Sequence, residues 1–169
     1  LQRDAHRGLD VGGVKREGRR AWLVPGRIEV LGKHVDYAGG RSLLCAVERG
    51  IVVVAVPRSD RNIVLRDARR RESLVVALDP SPYPSSQAPL PWSVYPRTVA
   101  RRLQLNFPGR MIGADIALAS SLPPAAGVSS SSALIVGLTL ALSRLADLPS
   151  DPRWARLLVP RTALAGYVG

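Results

Sequence analysis

The sequence predicts an α+β domain: a sheet drawn mainly from the first half of the chain, with helices packed beside it. Three observations carry this. Residues 20–78 hold several short β-rich segments separated by turn residues. A stretch with helical apolar spacing follows at 92–105. A second, Ala133 to Leu145, is apolar nearly all round and therefore reads as a buried helix. The length of 169 residues is about one domain, and 46% apolar with 22% charged residues is ordinary for a globular fold. These figures exclude a mainly disordered chain, a collagen-like repeat and a disulfide scaffold.

Taken in order, residues 1–20 read as a polar lead-in with no apolar core of the kind a signal peptide needs. Trp22 to Leu31 reads as a strand interrupted by Pro25-Gly26, and Gly32 to Arg41 as a polar turn. Ser42 to Val47 and Gly50 to Val56 read as two strands, the second almost purely β-branched and so covered on both faces. Asn62 to Arg66 and Ser73 to Leu78 form a hairpin whose turn holds Arg69-Arg70-Arg71. Asp79 to Pro91 contains five prolines and reads as an extended connector. Trp92 to Leu105 suits a helix, Gly113 to Ala119 a strand, and Leu122 to Ser132 a Pro/Gly/Ser loop before the buried helix. Asp151 to Val168 reads as a last helix that Pro160 kinks or breaks.

Net charge is +11, from 24 basic and 13 acidic residues. The basic set is 22 Arg and 2 Lys, scattered rather than clustered, and aromatics are only 5%. Nothing provides the base-stacking set of a nucleic-acid surface, so no nucleic-acid partner is expected. No apolar stretch reaches the ~20 residues a membrane span needs, so no membrane partner is expected either. Cys45 is the single cysteine, which leaves no internal disulfide and no argument for secretion. With two histidines there are too few soft ligands for zinc.

Two stretches carry chemistry. The first is Leu122-Pro-Pro-Ala-Ala-Gly-Val-Ser-Ser-Ser-Ser-Ala133. A strand leads in and a buried helix leads out. Small residues allow close approach to the backbone, and the first amides of a helix lack partners within it and favour negative charge. That combination is an anion site of the phosphate type. A plain helix cap needs one serine, whereas four stand here. No Walker loop is present: Gly26 to His34 looks like one, but five residues, not four, separate Gly26 from Gly32 and His34 replaces the Ser/Thr; nor is the serine stretch a nucleophile elbow, because Gly127-Val-Ser129-Ser-Ser131 lacks the second glycine. The second stretch, Pro25 to Gly40, gathers Arg27, Lys33, His34 and Asp36 within ten residues. Such mixed donors and acceptors suit a polyhydroxylated ligand. A solvated turn is the alternative reading for this stretch alone.

Together the two stretches resemble the GHMP kinases, and within them the galactokinases. That family carries Gly-Arg-x-Asn-Leu-Ile-Gly-Glu-His-x-Asp-Tyr, and this chain reads Gly26-Arg27-Ile28-Glu29-Val30-Leu31-Gly32-Lys33-His34-Val35-Asp36-Tyr37. The family loop Pro-x-Gly-x-Gly-Leu-Ser-Ser-Ser-Ala is similar to Pro123–Ala133, and a Trp-x-x-Tyr pair is similar to Trp92 and Tyr95. The resemblance implies a two-layer sheet-and-helix domain of the ribosomal protein S5 domain 2-like type, containing a left-handed crossover. It assigns residues 21–169 to the ATP-binding N-terminal domain, incomplete at its C-terminus and without the second domain. It implies a cytoplasmic kinase that transfers phosphate from ATP, with Mg2+, to a small sugar. Ala125, Ala126, Gly127, Val128, Ser129, Ser130, Ser131 and Ser132 would wrap the triphosphate, Ser131 holding magnesium. Trp92 and Tyr95 would flank the base. Lys33, His34 and Asp36 would bind sugar hydroxyls, and Arg27 would serve substrate binding and catalysis.

Departures from the pattern sharpen this. Glu29 stands where galactokinases have Asn, and Val128 where they have Leu or Met. Lys33 replaces the sugar-binding Glu, an exchange of a pure acceptor for a pure donor, so a sugar other than galactose is expected, such as a uronic acid; the alternative is that Glu29 pairs with Lys33 and neutralises it. The family's catalytic aspartate lies in a Cys-Gly-x-x-Asp-Gln segment that would follow Gly169, so this piece alone is expected to turn over little. The alternative is a non-catalytic sugar and nucleotide sensor acting through a protein partner.

Overall fold

A computed structural model describes residues 3, 18–32, 35, 38–78, 90–123, 126–158 and 161–168. Five strands form one mixed sheet: β1 (Arg20–Leu31), β2 (Leu43–Arg58), β3 (Asn62–Asp67), β4 (Glu72–Ala77) and β5 (Gly113–Ser120). The order is β1-β2-β5-β3-β4, and β5 runs parallel to β3 while every other pair is antiparallel. The described residues also form the α-helices α1 (Val94–Asn106), α2 (Ser130–Leu145), α3 (Pro152–Leu158) and α4 (Arg161–Val168), and a 3-10 turn at Leu148–Ser150. The expected α+β architecture is therefore observed.

The strand pattern bears out one expectation and corrects another. Pro25-Gly26 interrupts β1 as a register shift between Pro25↔Gly50 and Arg27↔Ala46 without ending it, since β1 is an edge strand. Proline is tolerated at such an edge, where no ladder bond is lost. The two strands expected at Ser42–Val47 and Gly50–Val56 are one 16-residue strand, β2. Its first half pairs only with β1 and is exposed, whereas Ile51–Val56 crosses the sheet centre and is buried throughout.

Alternation separates two faces. Ile51, Val53 and Ala55 of β2 and Ala114, Ile116 and Leu118 of β5 face the helices, in one core with Leu103, Phe107, Leu138 and Leu142. Val52, Val54, Val56, Ala117 and Ala119 form a smaller cluster on the other face. On that side Asp115, nearly buried, accepts from Arg58 and Arg66 at 2.8 Å each and ties β2, β3 and β5 together. Arg58 also forks onto Asp60 at 2.7 and 2.9 Å, a hydrogen-bonded pairing that raises the guanidinium pKa and holds the Asp60 carboxyl below the usual carboxylate range.

Helix α2 lies across β1 and β2 and against α1. Gly137 makes that seat possible: a Cβ there would stand 2.7 Å from Val53 Cγ2. The expected last helix is two, α3 and α4, on either side of residues 159–160. The expected connector at 79–91 lies outside the described residues except for Leu90 and Pro91.

Candidate active site

The phosphate-type loop starts from β5. Ser121 Oγ is 3.1 Å from Gly50 N, whose N–H it accepts, and donates to the Gly50 carbonyl at 3.2 Å, fixing the loop's entry to β2. Leu122 N–H donates to Ser120 Oγ at 3.1 Å. The chain then reaches Gly127 at φ +69 and Ser129 at φ +56, ψ +42, both left-handed, and enters α2 at Ser130. The helix thus begins three residues earlier than expected, so Ser130, Ser131 and Ser132 occupy its first turn.

Ser129 occupies the N-cap position but its side chain makes no capping bond. A left-handed backbone at a serine costs about 1–3 kcal/mol, so this serine is not here to cap a helix cheaply. The Cβ position of Gly127 has no atom of the described residues within 4 Å. Both features suit a cradle for a phosphate chain: amides of a helix start, and room above the glycine.

The second motif is stitched to this loop. Arg27 N–H donates to the Val128 carbonyl at 3.2 Å, a backbone bond between β1 and the loop across a hundred residues of sequence. Gly26 permits the approach. A Cβ there would lie 2.6 Å from Leu122 Cδ2, 2.9 Å from Val128 O and 3.1 Å from Val47 Cγ2. Arg27 itself is exposed beside the loop. Lys33, His34 and Asp36, and Ala125 of the loop, lie outside the described residues. Among the described residues of the same stretch, Gly40 N–H donates to Val35 O at 2.8 Å and a Cβ at Gly32 would run into Arg41 O.

A cavity of about 550 Å³ opens on the helix side of the sheet, lined by Trp92, Tyr95, Ser120, Leu122, Ser130 and Ser131 among others. That is within the size range of small-ligand sites. Trp92 and Tyr95, 35 or more residues before the serines in sequence, thus share one space with Ser130 and Ser131. The Trp92 indole N–H donates to Glu72 Oε2 at 2.6 Å, which holds the ring against the start of β4. Ser129 and Ser132 are half-buried at the loop and helix start, and Ala126 is exposed.

Sequence reasoning missed the cavity's remaining wall. The turn between β3 and β4 brings Asp67, Arg69 and Arg70 to it. Asp67 Oδ1 accepts from the backbone N–H of Arg69 at 2.9 Å and of Arg70 at 3.0 Å, and Arg69 Nη1 donates to the Ser120 carbonyl at 3.0 Å. The arginine run was legible as a turn, but only the parallel pairing of β3 with β5 carries it to the loop. Asp147 and Asp151 stand at the far end of α2, as the sequence order requires. Asp151 is nearly buried and engaged by Arg153 at 2.8 and 2.6 Å. That hydrogen bonding holds its carboxyl below the usual range.

Comparison with known proteins follows the same lines. The model of the galactokinase galactose-binding signature matches residues 13–57, and that of the GHMP kinases N-terminal domain matches residues 94–164. Lactococcus lactis galactokinase, solved in complex with galactose, has a similar fold at a TM-score of 0.74 and 23% identity, over 98% of this chain and 42% of that one. Methanococcus jannaschii mevalonate kinase matches at 0.60 and 18% identity, over 77% and 41%. Streptococcus pneumoniae phosphomevalonate kinase, solved with phosphomevalonate and AMPPNP, matches at 0.56 and 14%, over 76% and 37%. The chain thus spans about two fifths of the length of these solved relatives. Its two family matches, to the galactokinase galactose-binding signature and to the GHMP kinases N-terminal domain, fall on the two motifs that the Arg27–Val128 bond joins.

Proposed function

We propose that this chain forms the nucleotide- and sugar-binding half of a galactokinase-like kinase, which phosphorylates a small sugar at its anomeric hydroxyl. The observation that carries the reading is the Arg27 N–H bond to the Val128 carbonyl, which holds β1, where the sugar-type stretch begins, beside the phosphate-type loop. Supporting it, Trp92, Tyr95, Ser130 and Ser131 line one cavity.

In this reading Mg2+ and ATP supply the phosphoryl group and neutralise charge on it. The chain's own residues do the positioning, which is most of the catalysis in phosphoryl transfer. Amides and hydroxyls from Ala125 to Ser132 hold the phosphates, and Ser131 Oγ is the protein ligand offered to magnesium. Trp92 and Tyr95 hold the base. Lys33, His34 and Asp36 take sugar hydroxyls. Arg27 lies beside the reacting hydroxyl and stabilises negative charge there.

Lys33 directs the choice of sugar. A cation donates and cannot accept, so the group it meets is an acceptor, and an anionic sugar such as a uronic acid fits better than galactose. The test is a panel of neutral and acidic sugars assayed by coupled ADP release on the full-length protein, with Lys33→Glu beside it. The reading expects an acidic sugar to lead and Lys33→Glu to restore galactose. A wide lead for galactose in the parent would overturn the Lys33 argument. Sugar and nucleotide binding with no ADP release would identify a sensor instead of a kinase.

A further inference from the structure

We infer that Arg69, on the turn between β3 and β4, is the phosphate counter-charge of the nucleotide cavity, a task the phosphate loop cannot perform with its own side chains. The inference rests on the nucleotide reading of that cavity and adds to it a residue that neither motif contains.

A nucleotide triphosphate brings three to four negative charges, and Walker-type loops meet them with a lysine of their own. From Leu122 to Ala133 this loop has no basic residue. Amides and serine hydroxyls supply dipoles but no full charge. Among the described residues, the basic groups lining the cavity are Arg69 and Arg70. The accompanying acid, Asp67, is turned to the turn's own backbone, where its Oδ1 accepts two N–H bonds.

Position separates the two arginines. Arg69 Nη1 is tied to the carbonyl of Ser120, the last residue of β5, at the point where the strand gives way to the loop. That bond uses one of five guanidinium donors and fixes the rest of the fork at the cavity wall. Arg70 has its Nε 3.9 Å from Asp67 Oδ2 and is half exposed, so its charge is partly offset within the turn. The turn is rigid enough to aim a side chain: Arg71 N–H closes it onto Asp67 O at 3.0 Å, with Arg71 itself at φ +57. A planar fork held at one edge suits bidentate recognition of a phosphate.

The test titrates the protein, Arg69→Met, Arg69→Lys and Ser131→Ala with Mg-ADP and with adenosine, following tryptophan fluorescence or heat. The expected result is a ten- to hundred-fold loss of Mg-ADP affinity in Arg69→Met, the value of a charge-assisted bond. Adenosine binding stays within about twofold of the parent, and Arg69→Lys recovers part of the loss. Raising salt on the parent is expected to weaken Mg-ADP and leave adenosine alone, a readout that needs no variant to fold. Arg69→Met binding Mg-ADP as the parent does would overturn the inference while leaving the site intact. Equal losses for adenosine and Mg-ADP would overturn it too, by making Arg69 a base contact. A parent that binds no Mg-ADP would remove the nucleotide reading itself.

Discussion

Gly26→Ala is the smallest change that addresses how the two motifs are joined. Gly26 is not in the left-handed region, so alanine brings no backbone strain, only a methyl group. That methyl would sit 2.6 Å from Leu122 Cδ2, 2.9 Å from Val128 O and 3.1 Å from Val47 Cγ2. The leucine methyl can swing away, but the Val128 carbonyl belongs to the loop backbone and moves only with the loop. Its displacement breaks or lengthens the 3.2 Å bond from Arg27 N–H. Overpacking of this kind costs about 1–3 kcal/mol and a lost hydrogen bond about 1 kcal/mol. A total of about 2–4 kcal/mol corresponds to a fall in Tm of roughly 5–15 °C for a domain this size. Urea unfolding followed by circular dichroism measures it. Gly166→Ala is the control, since among the described residues nothing lies within 4 Å of its Cβ position in α4. It should leave stability unchanged or raise it by up to about 1 kcal/mol. If Gly26→Ala unfolds at the parent's denaturant concentration, β1 is not packed against the loop and the joined-motif account is wrong.

Asp115→Ala removes the carboxylate shared by Arg58 and Arg66. Both guanidiniums are about 30% exposed and can rehydrate (30% and 27%). The loss should therefore be about 2–3 kcal/mol, below the 3–5 kcal/mol of a fully buried pair, and calorimetry would show it as a lower Tm. Asp60 and Asp151 are held below the carboxylate range chiefly by hydrogen bonds from Arg58 and Arg153. The unfolded chain therefore binds protons first as the pH drops, and their contribution is complete above about pH 5 and lost on further acidification. Asp151→Asn should make stability less dependent on pH between about pH 5 and pH 2, and an unchanged acid profile would refute the pairing.

Much of this was legible in the sequence because it is local. The apolar 133–145 run is a buried helix since no face of it is polar, and the small residues and four serines of the loop before it announce close approach to the backbone. What escaped was long-range. Nothing in Arg69-Arg70-Arg71 says that β5 inserts beside β3 and brings that turn to the loop. Nothing in Ser42–Val56 says that one strand runs through Glu48-Arg49, because an edge partner that tolerates Pro25 is what keeps it continuous. The helix start at Ser130 was also hidden, since the left-handed Ser129 that sets it is an uncommon state for serine.

The central claim is that a nucleotide lies in the cavity between Trp92, Tyr95 and the serine loop. Photolabelling with 8-azido-ATP in magnesium, followed by peptide mapping, tests it most directly. The account predicts covalent label on peptides carrying Trp92 and Tyr95 or the 67–72 turn, suppressed by excess ADP. Label confined to other peptides, or label that ADP does not suppress, would contradict it.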